Sequence, residues 1–314
     1  MIVLSYNVRG LGGRVKKRMI KELVNSQKVD FLAIQETKLE VISDSLCHNL
    51  WGSDDCDWVF LPSVGNSGGI LFIWRKSNSN LLFSLMGECF VCVCLEWGAL
   101  KKKCFVVNVY SKCDLPAKKR LWENLVLIKN TFDDGIWCVI GDFNVVSSSG
   151  DRRGVNEEVS SGRILEMNFF NSFLLEVELL DLDPLGRRYT WVHSNGRTMS
   201  RIDRALVSEE WITCWGNTSL WVLPRSISDH CLLVLRSGDL DWGPKPFRFN
   251  NYWLENRKFK KGVEEVWRSY RGDGWMGVIL KNKLKRLKEE LRVWSKKEHG
   301  ALNIKAEKLI AEIA

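Results

Sequence analysis

An aspartate and an asparagine separated by one phenylalanine, Asp142 and Asn144, close the run VIGDFN. On extended backbone, residues two apart share a face, so the two polar side chains point one way and Phe143 the other. Gly141 before them admits close approach of backbone or ligand. The competing reading is an Asx turn, which the same residue types favour. Other apolar runs carry similar polar groups. Ser5-Tyr6-Asn7 ends one, Gln35-Glu36 a second and Asn108-Val109-Tyr110 a third. Ser228-Asp229-His230 precedes the last run, and Arg201-Ile202-Asp203-Arg204 follows a hairpin signal. Glu36, Asp142 and Asp229 are hard oxygen donors, and Asn7 and Asn144 add neutral oxygens, a set suited to Mg²⁺. His230, one of only 4 histidines, can act as acid, base or oxyanion donor. Tyr110 can donate to a phosphate. Metal, imidazole and the Asp/Asn pair together fit phosphodiester hydrolysis with a metal-polarised phosphoryl group.

Each residue also has a plain structural reading. Glu36 can cap a following helix, Tyr110 can be a half-buried core residue, Asp203 can pair with Arg201 or Arg204, and His230 with Asp229. These readings would have to coincide on successive strands. Convergence of the strand ends in one cleft explains them together.

The elements that must position these groups follow from hydrophobic period and turn chemistry. Strands are expected at 2–7, 31–36, 58–61, 70–75, 81–86, 88–96, 103–110, 136–140, 179–182, 220–223 and 231–235. A hairpin pairs 188–193 with 198–207 across Asn195-Gly196, the turn dipeptide. Helices are expected at 15–26, 40–50, 116–130 with Pro116 in its first turn, 160–175, and a short one at 208–215 capped by Ser208. The loop 61–69 carries Pro62, Gly65, Gly68 and Gly69, and 147–159 reads as a polar mobile loop. Strands interrupted by helices, with several hairpins, indicate a mixed α/β protein with a largely antiparallel core. Neither GxGxxG nor GxxxxGK[ST] occurs, so nucleotide-cradling loops are unsupported.

A domain 1–236 ends at the proline-bearing stretch 238–246, and a basic helical tail, 237–314, follows. The first part holds 28 Lys+Arg against 27 Asp+Glu and the tail 18 against 11, so nearly all of the net charge of +8 lies in the tail. Such an appendage suits a polyanion such as nucleic acid. In the tail Leu280, Leu284, Leu287, Leu291 and Trp294 form a heptad seam, resumed at Leu302, Ala306, Leu309 and Ile313. Its alternatives are a coiled coil or a helix packed on a neighbour. No apolar run reaches membrane-spanning length, and no secretory signal is visible. The 10 cysteines read as reduced, buried thiols. Cys89 and Cys92 lie in an expected strand, where residues three apart point to opposite faces and cannot share a metal without a bend.

The segments SYNVRG, IQET, NVY, GDFN, SRID and SDH, in that order over 1–236, resemble the endonuclease/exonuclease/phosphatase (deoxyribonuclease I-like) superfamily. The resemblance implies a four-layer αββα sandwich of two mainly antiparallel sheets, with the site on one rim. It implies Glu36 as metal ligand, Asn7 and Asp229 beside it, and Mg²⁺ or Mn²⁺ as the cofactor. Asp142 would orient or activate the attacking water, or handle the leaving group's proton. Asn144 would position the phosphate, Asp203 orient His230 against it, and Tyr110 support it; the general base stays open. NVRGLG, the Gly68-Gly69 strand start, RYTW (188–191) and PFRFNNYWL (246–254) resemble the endonuclease domains of plant LINE-type non-LTR retrotransposons. The tail then looks like the connector before a reverse transcriptase domain, at which the chain would be truncated. One departure stands out: apurinic/apyrimidinic endonucleases carry an acidic or amide residue two after the first Asn, where this chain has Arg9. Metal binding then leans on Glu36, and abasic-site repair is disfavoured.

The resemblance thus implies a Mg²⁺-dependent endonuclease nicking one DNA strand, an intracellular and nuclear setting, and DNA, or RNA, as partner. A same-fold phosphatase or RNA exonuclease, and an inactive element remnant with a nucleic-acid-binding tail, are the alternatives.

Overall fold

The computed structural model describes residues 1–65, 67–154, 161–238, 253–254, 256–269 and 274–313, with backbone alone at 257–258 and 296–313. The chain divides into two compact units, Met1–Leu240 and Asp241–Ala314.

In the first unit β1 (Ile2–Asn7), α1 (Arg14–Gln27) and β2 (Phe31–Gln35) are followed by α2 (Asp44–Trp51) and the hairpin β3 (Cys56–Val64) and β4 (Ser67–Arg75). Then come β5 (Ser79–Gly87), β6 (Phe90–Trp97), β7 (Lys102–Tyr110), α3 (Leu115–Thr131) and β8 (Ile136–Asp142). After β9 (Arg152–Arg153) and α4 (Ser161–Glu176) lie β10 (Leu180–Asp181), β11 (Pro184–Gly186), β12 (Trp191–Val192), β13 (Met199–Ser200) and β14 (Asp203–Val207). Finally α5 (Glu209–Trp215), β15 (Thr218–Val222) and β16 (Leu233–Ser237) close the unit. One sheet has the order β11-β15-β16-β1-β2-β4-β3, the second β10-β14-β8-β7-β6-β5, and a small third β12-β13-β9. Both large sheets are mixed but mainly antiparallel; their parallel pairs are β1–β2, β7–β8 and β11–β15.

Alternation along the strands makes the layers. Val3, Phe31, Phe72, Val93, Val106 and Ile140 face one another in the core between the sheets. The opposite faces bury Leu4, Leu32 and Ile73 under Ile20 and Val24 of α1 and Leu50 of α2. Phe105, Trp137 and Val139 pack under Trp122 of α3 and Phe170 of α4. Two sheets are therefore flanked by helices, the expected α/β sandwich.

Several expectations are corrected. The strand expected at 58–61 runs through nine residues, Cys56–Val64, including Pro62. β3 is an edge strand, where a residue without an N–H is tolerated. The expected strand 198–207 is two strands. β13 pairs with β12 in the small sheet, and β14 pairs with β8 and β10 in a large one. Arg201 and Ile202 make the crossing between them. Ser208 stands at the N-terminus of α5 but accepts from the Trp137 N–H at 3.2 Å instead of capping the helix with its side chain. Cys89 precedes β6, and so packs in the same cluster as Cys92. The loop expected at 147–159 contains a 3₁₀ turn (Ser149–Asp151) and β9; its residues 155–159 lie outside the described ones.

The second unit holds α6 (Arg257–Ser269) and α7 (Met276–Ile313). Trp253, Phe259 and Leu291 are buried together, with Val263, Leu287 and Trp294 against them. The heptad seam is thus half consumed within the unit: Leu287, Leu291 and Trp294 pack, while Leu280 and Leu284 are exposed. The side chains of Leu302, Ala306, Leu309 and Ile313 lie outside the described residues. No helix among the described residues is long and apolar enough to cross a membrane.

Gly141, at φ 146°, is where β8 presses on β7: a Cβ there would collide with the backbone carbonyl of Val109. Neither backbone can yield within a paired sheet. Gly141→Ala is therefore expected to cost about 3 kcal/mol or more, read as a lowered urea midpoint at unchanged slope.

Candidate active site

The parallel pairs decide where the polar residues go. β1 and β2 are parallel neighbours, so Asn7 and Gln35 end side by side. β7 and β8 do the same for Tyr110 and Asp142. β14 is antiparallel to β8, which sets Asp203, its first residue, opposite Asp142. β16 is antiparallel to β1, so the 228–230 segment leading into it arrives at the end of β1. Ser228 Oγ fastens it there by donating to the Asn7 carbonyl at 2.8 Å.

Asp142 is fully buried. Its Oδ1 accepts from the Asn144 backbone N–H, and its Oδ2 from the Asn7 amide, both at 2.9 Å. The Asn144 amide donates to the Ser111 carbonyl at 2.7 Å and also reaches Asp142 Oδ2 at 3.4 Å. His230 Nδ1 lies 3.0 Å from both Asp203 oxygens, and its Nε2 faces Asp142 Oδ2 at 3.8 Å. Asn7, Asp142, Asn144, Asp203 and His230 thus form one connected cluster, with Tyr110 beside it in the strand register. Glu36 and Asp229 meet through Arg9, whose Nε is 3.8 Å from Glu36 and whose Nη1 hydrogen-bonds Asp229. Lys38 Nζ also pairs with Glu36 at 3.1 Å.

Three of the plain readings fail on this geometry. Arg204 pairs with Asp151 and Asp181, and Arg201 with Asp181, so neither is the partner of Asp203. The Asp229 carboxylate goes to Arg9 and to the Trp191 Nε1–H (2.9 Å), not to the His230 ring. Glu36 caps no helix: α2 begins at Asp44 and is capped by Ser43.

Charge and burial set the protonation states. Burial pushes the Asp142 carboxyl up and Asp203 adds to it, against the opposing pull of His230 and the Asn7 hydrogen bond; the net shift is to about 7. Burial disfavours the imidazolium of His230, but Asp203 and Asp142 outweigh it and raise its pKa to about 9. For Asp229 burial is outweighed by His230, Trp191 and Arg9, and its pKa falls. Burial, then Glu36 and Asp142, push the Tyr110 phenol up, so it stays a donor.

The backbone carries strain at the same place. Arg9, Glu36 and Asn144 adopt left-handed φ values of 47°, 54° and 52°. Each costs of the order of 1 kcal/mol for a non-glycine residue, and such strain gathers at functional sites.

Sequence reasoning left several supporting residues without a role. Gln35 donates to Ser5 Oγ (3.0 Å) and across the sheets to Asn108 Oδ1 (2.6 Å). The Asn108 amide donates to the carbonyls of Ile34 (3.3 Å) and Leu71 (3.1 Å). Lys118, buried on α3, donates to the Asn144 carbonyl at 2.6 Å and pairs with Glu166. Its place on the apolar face with Leu121, Trp122 and Leu125 was a readable signal. Thr190 Oγ1 accepts from the N–H groups of Ile202 (3.1 Å) and Asp203 (3.0 Å). RYTW thereby supports both Asp203 and Asp229.

As a metal site, the donors Glu36, Asn7 and Asp229 fit a hard dication: they are oxygens, and the two carboxylates already converge on one cationic group, Arg9. Among the described residues, Asp142, Asp203 and His230 are the group of three with ligand atoms all within 4.8 Å of one another. His230 Nδ1 is committed to Asp203, which makes that trio a hydrogen-bonded acid–base set.

The model of the Endonuclease/Exonuclease/phosphatase family matches residues 4–230. The uncharacterized 149 kDa protein of transposon TX1 from Xenopus laevis is 28% identical over 170 residues, 53% of this chain; the chain spans 13% of that relative. The 3′ phosphatase NExo from Neisseria, bound to a product DNA hairpin, has a TM-score of 0.59 at 18% identity, covering 76% of this chain and 99% of that one. The endonuclease domain of TRAS1, a telomere-specific non-LTR retrotransposon, gives 0.56 at 16%, covering 75% and 97%.

The raised pKa of His230 has a definite sign. Its ion pair with Asp203 contributes fully below pH 6.5 and is lost as pH rises through about 9. The unfolding free energies of the wild type and Asp203→Asn are expected to differ more at pH 6 than at pH 10, by up to about 3 kcal/mol. Urea unfolding at the two pH values measures this. A difference that does not change with pH would show that the pair is not ionised.

Proposed function

Because the chain belongs to the Endonuclease/Exonuclease/phosphatase family, we propose that it is a divalent-metal-dependent phosphodiesterase that nicks one strand of DNA. The observation that carries this reading is the buried Asp203–His230–Asp142 set with Asn7 and Asn144 bonded to Asp142. Its transposon assignment is supported by the likeness to the TX1 protein and the TRAS1 domain. The plant LINE-type assignment rests on NVRGLG, the Gly68-Gly69 strand start, RYTW and PFRFNNYWL alone. With that assignment go a nuclear setting and a role for 237–314 as a basic connector.

In this reading Glu36, Asn7 and Asp229 would hold Mg²⁺ or Mn²⁺, which would supply Lewis-acid polarisation of the phosphoryl group. The chain's own groups do the rest. Asp142, held by two hydrogen bonds and shifted toward neutrality, accepts a proton from the attacking water or returns it to the leaving oxygen. His230, kept cationic and oriented through Nδ1 by Asp203, presents Nε2–H to the phosphate charge. The Asn144 amide and the protonated Tyr110 phenol position the non-bridging oxygens. Strain at Glu36 and Asn144 is sustained by Lys118 on the Asn144 carbonyl and by the Gly10 N–H on the Glu36 carbonyl (2.7 Å).

The test is conversion of supercoiled plasmid to open circles with Mg²⁺. Asp142→Asn and His230→Ala are each expected to lower the rate by about 10²-fold or more. Wild-type nicking no faster than that of these variants would overturn the proposal. Phosphate release from a 3′-phosphorylated oligonucleotide without nicking would reassign the substrate.

A further inference from the structure

The cluster has a buried part and an open part. The side chains of Asp142, Asp203 and His230 are at most 5% exposed, whereas Glu36 is 12% and Asp229 20% exposed. Between the two open carboxylates stands the guanidinium of Arg9, itself half exposed at 51%. Two more cations surround it. Lys38 pairs with Glu36, and Lys16 donates to the Arg9 carbonyl at 3.0 Å. Three cations therefore face two carboxylates where the metal-dependent reading places its ion.

We propose that Arg9 is a resident counter-cation of the Glu36/Asp229 pair, which a divalent ion must displace, and which on displacement turns to a substrate phosphate. This rests on the metal-dependent reading of the site. Coulomb repulsion makes simultaneous occupation of the same two carboxylates by guanidinium and dication unfavourable. A half-exposed side chain can leave at little cost in packing, and planar guanidinium is well matched to phosphate oxygens. Arg9's backbone is held separately: its N–H donates to Asn7 Oδ1 at 3.1 Å, whatever the side chain does. Once Arg9 is released, an arriving phosphate gains a bidentate donor, and an ion bound first removes the donor's competing partners. Metal and nucleic acid then bind synergistically, and the coupling is reciprocal.

Mn²⁺ binding to the free protein is read from the electron paramagnetic resonance signal of the unbound aquo ion. Arg9→Gln is expected to bind Mn²⁺ about tenfold tighter than wild type, and Arg9→Lys, which keeps the charge, close to wild type. Equal or weaker binding by Arg9→Gln overturns the proposal, as does equal tightening by Arg9→Lys. Mn²⁺ bound by none of the three would instead remove the metal-dependent reading on which the proposal stands. In a second arm, anisotropy of a labelled short duplex at fixed ionic strength is compared with and without Ca²⁺. Wild-type affinity is expected to rise about tenfold and that of Arg9→Gln by clearly less, since it keeps only the metal's own attraction for phosphate. No rise in the wild type, or the same rise in the variant, overturns the coupling.

Discussion

A parallel pair set inside each mainly antiparallel sheet is the constraint on which the site depends. Antiparallel neighbours end at opposite rims, so a purely antiparallel sandwich would scatter strand ends. The pairs β1–β2 and β7–β8 place four C-terminal ends on one rim: Asn7, Gln35, Tyr110 and Asp142. Antiparallel β14 and β16 then contribute their N-terminal ends, Asp203 and the segment before Leu233. The crossover helices α1 and α3 are what a parallel connection requires. The same helices build the outer layers, so the site's geometry and the four-layer architecture have one cause.

Holding two sheets in register at that rim falls to buried polar bonds. Ser5, Gln35 and Asn108 form a chain between the sheets, on faces otherwise given to Val3, Ala33 and Val106. Apolar contacts are non-directional and tolerate sliding, whereas hydrogen bonds of 2.6 to 3.3 Å to the Ile34 and Leu71 carbonyls and the Gln35 amide do not. Asn7 makes a separate link to Asp142, joining β1 of one sheet to β8 of the other.

The sequence was most informative where period and type coincide. A polar residue ending an apolar run is visible on its own, which is how Asn7, Glu36, Tyr110 and Asp142 were singled out without coordinates, whereas Asp203 was singled out after a hairpin signal. Partners were less visible, because they depend on contacts distant in sequence. Thr190 supports Asp203 from 13 residues away, and Trp191 holds Asp229 from 38. The crossing at Arg201-Ile202 looked like continuous strand, since a change of sheet leaves the alternation unbroken. Pro62 looked like a loop because its tolerance depends on β3 lying at an edge, a property of the sheet order and not of the residue.

Net charge adds one further step. The first 236 residues are almost neutral, yet the open side of the cluster gathers Arg9, Lys16 and Lys38. A near-zero total therefore conceals a local cluster of cations and its field. Glu36 and Asp229 hold that field in check by pairing with its cations, and Asp142 and Asp203 lie behind them with His230 between. A ligand bearing phosphate meets donors at the opening and acid–base groups beneath. Added salt screens the exposed cations at the opening, whereas the buried contacts at Asp142 and His230 are screened far less.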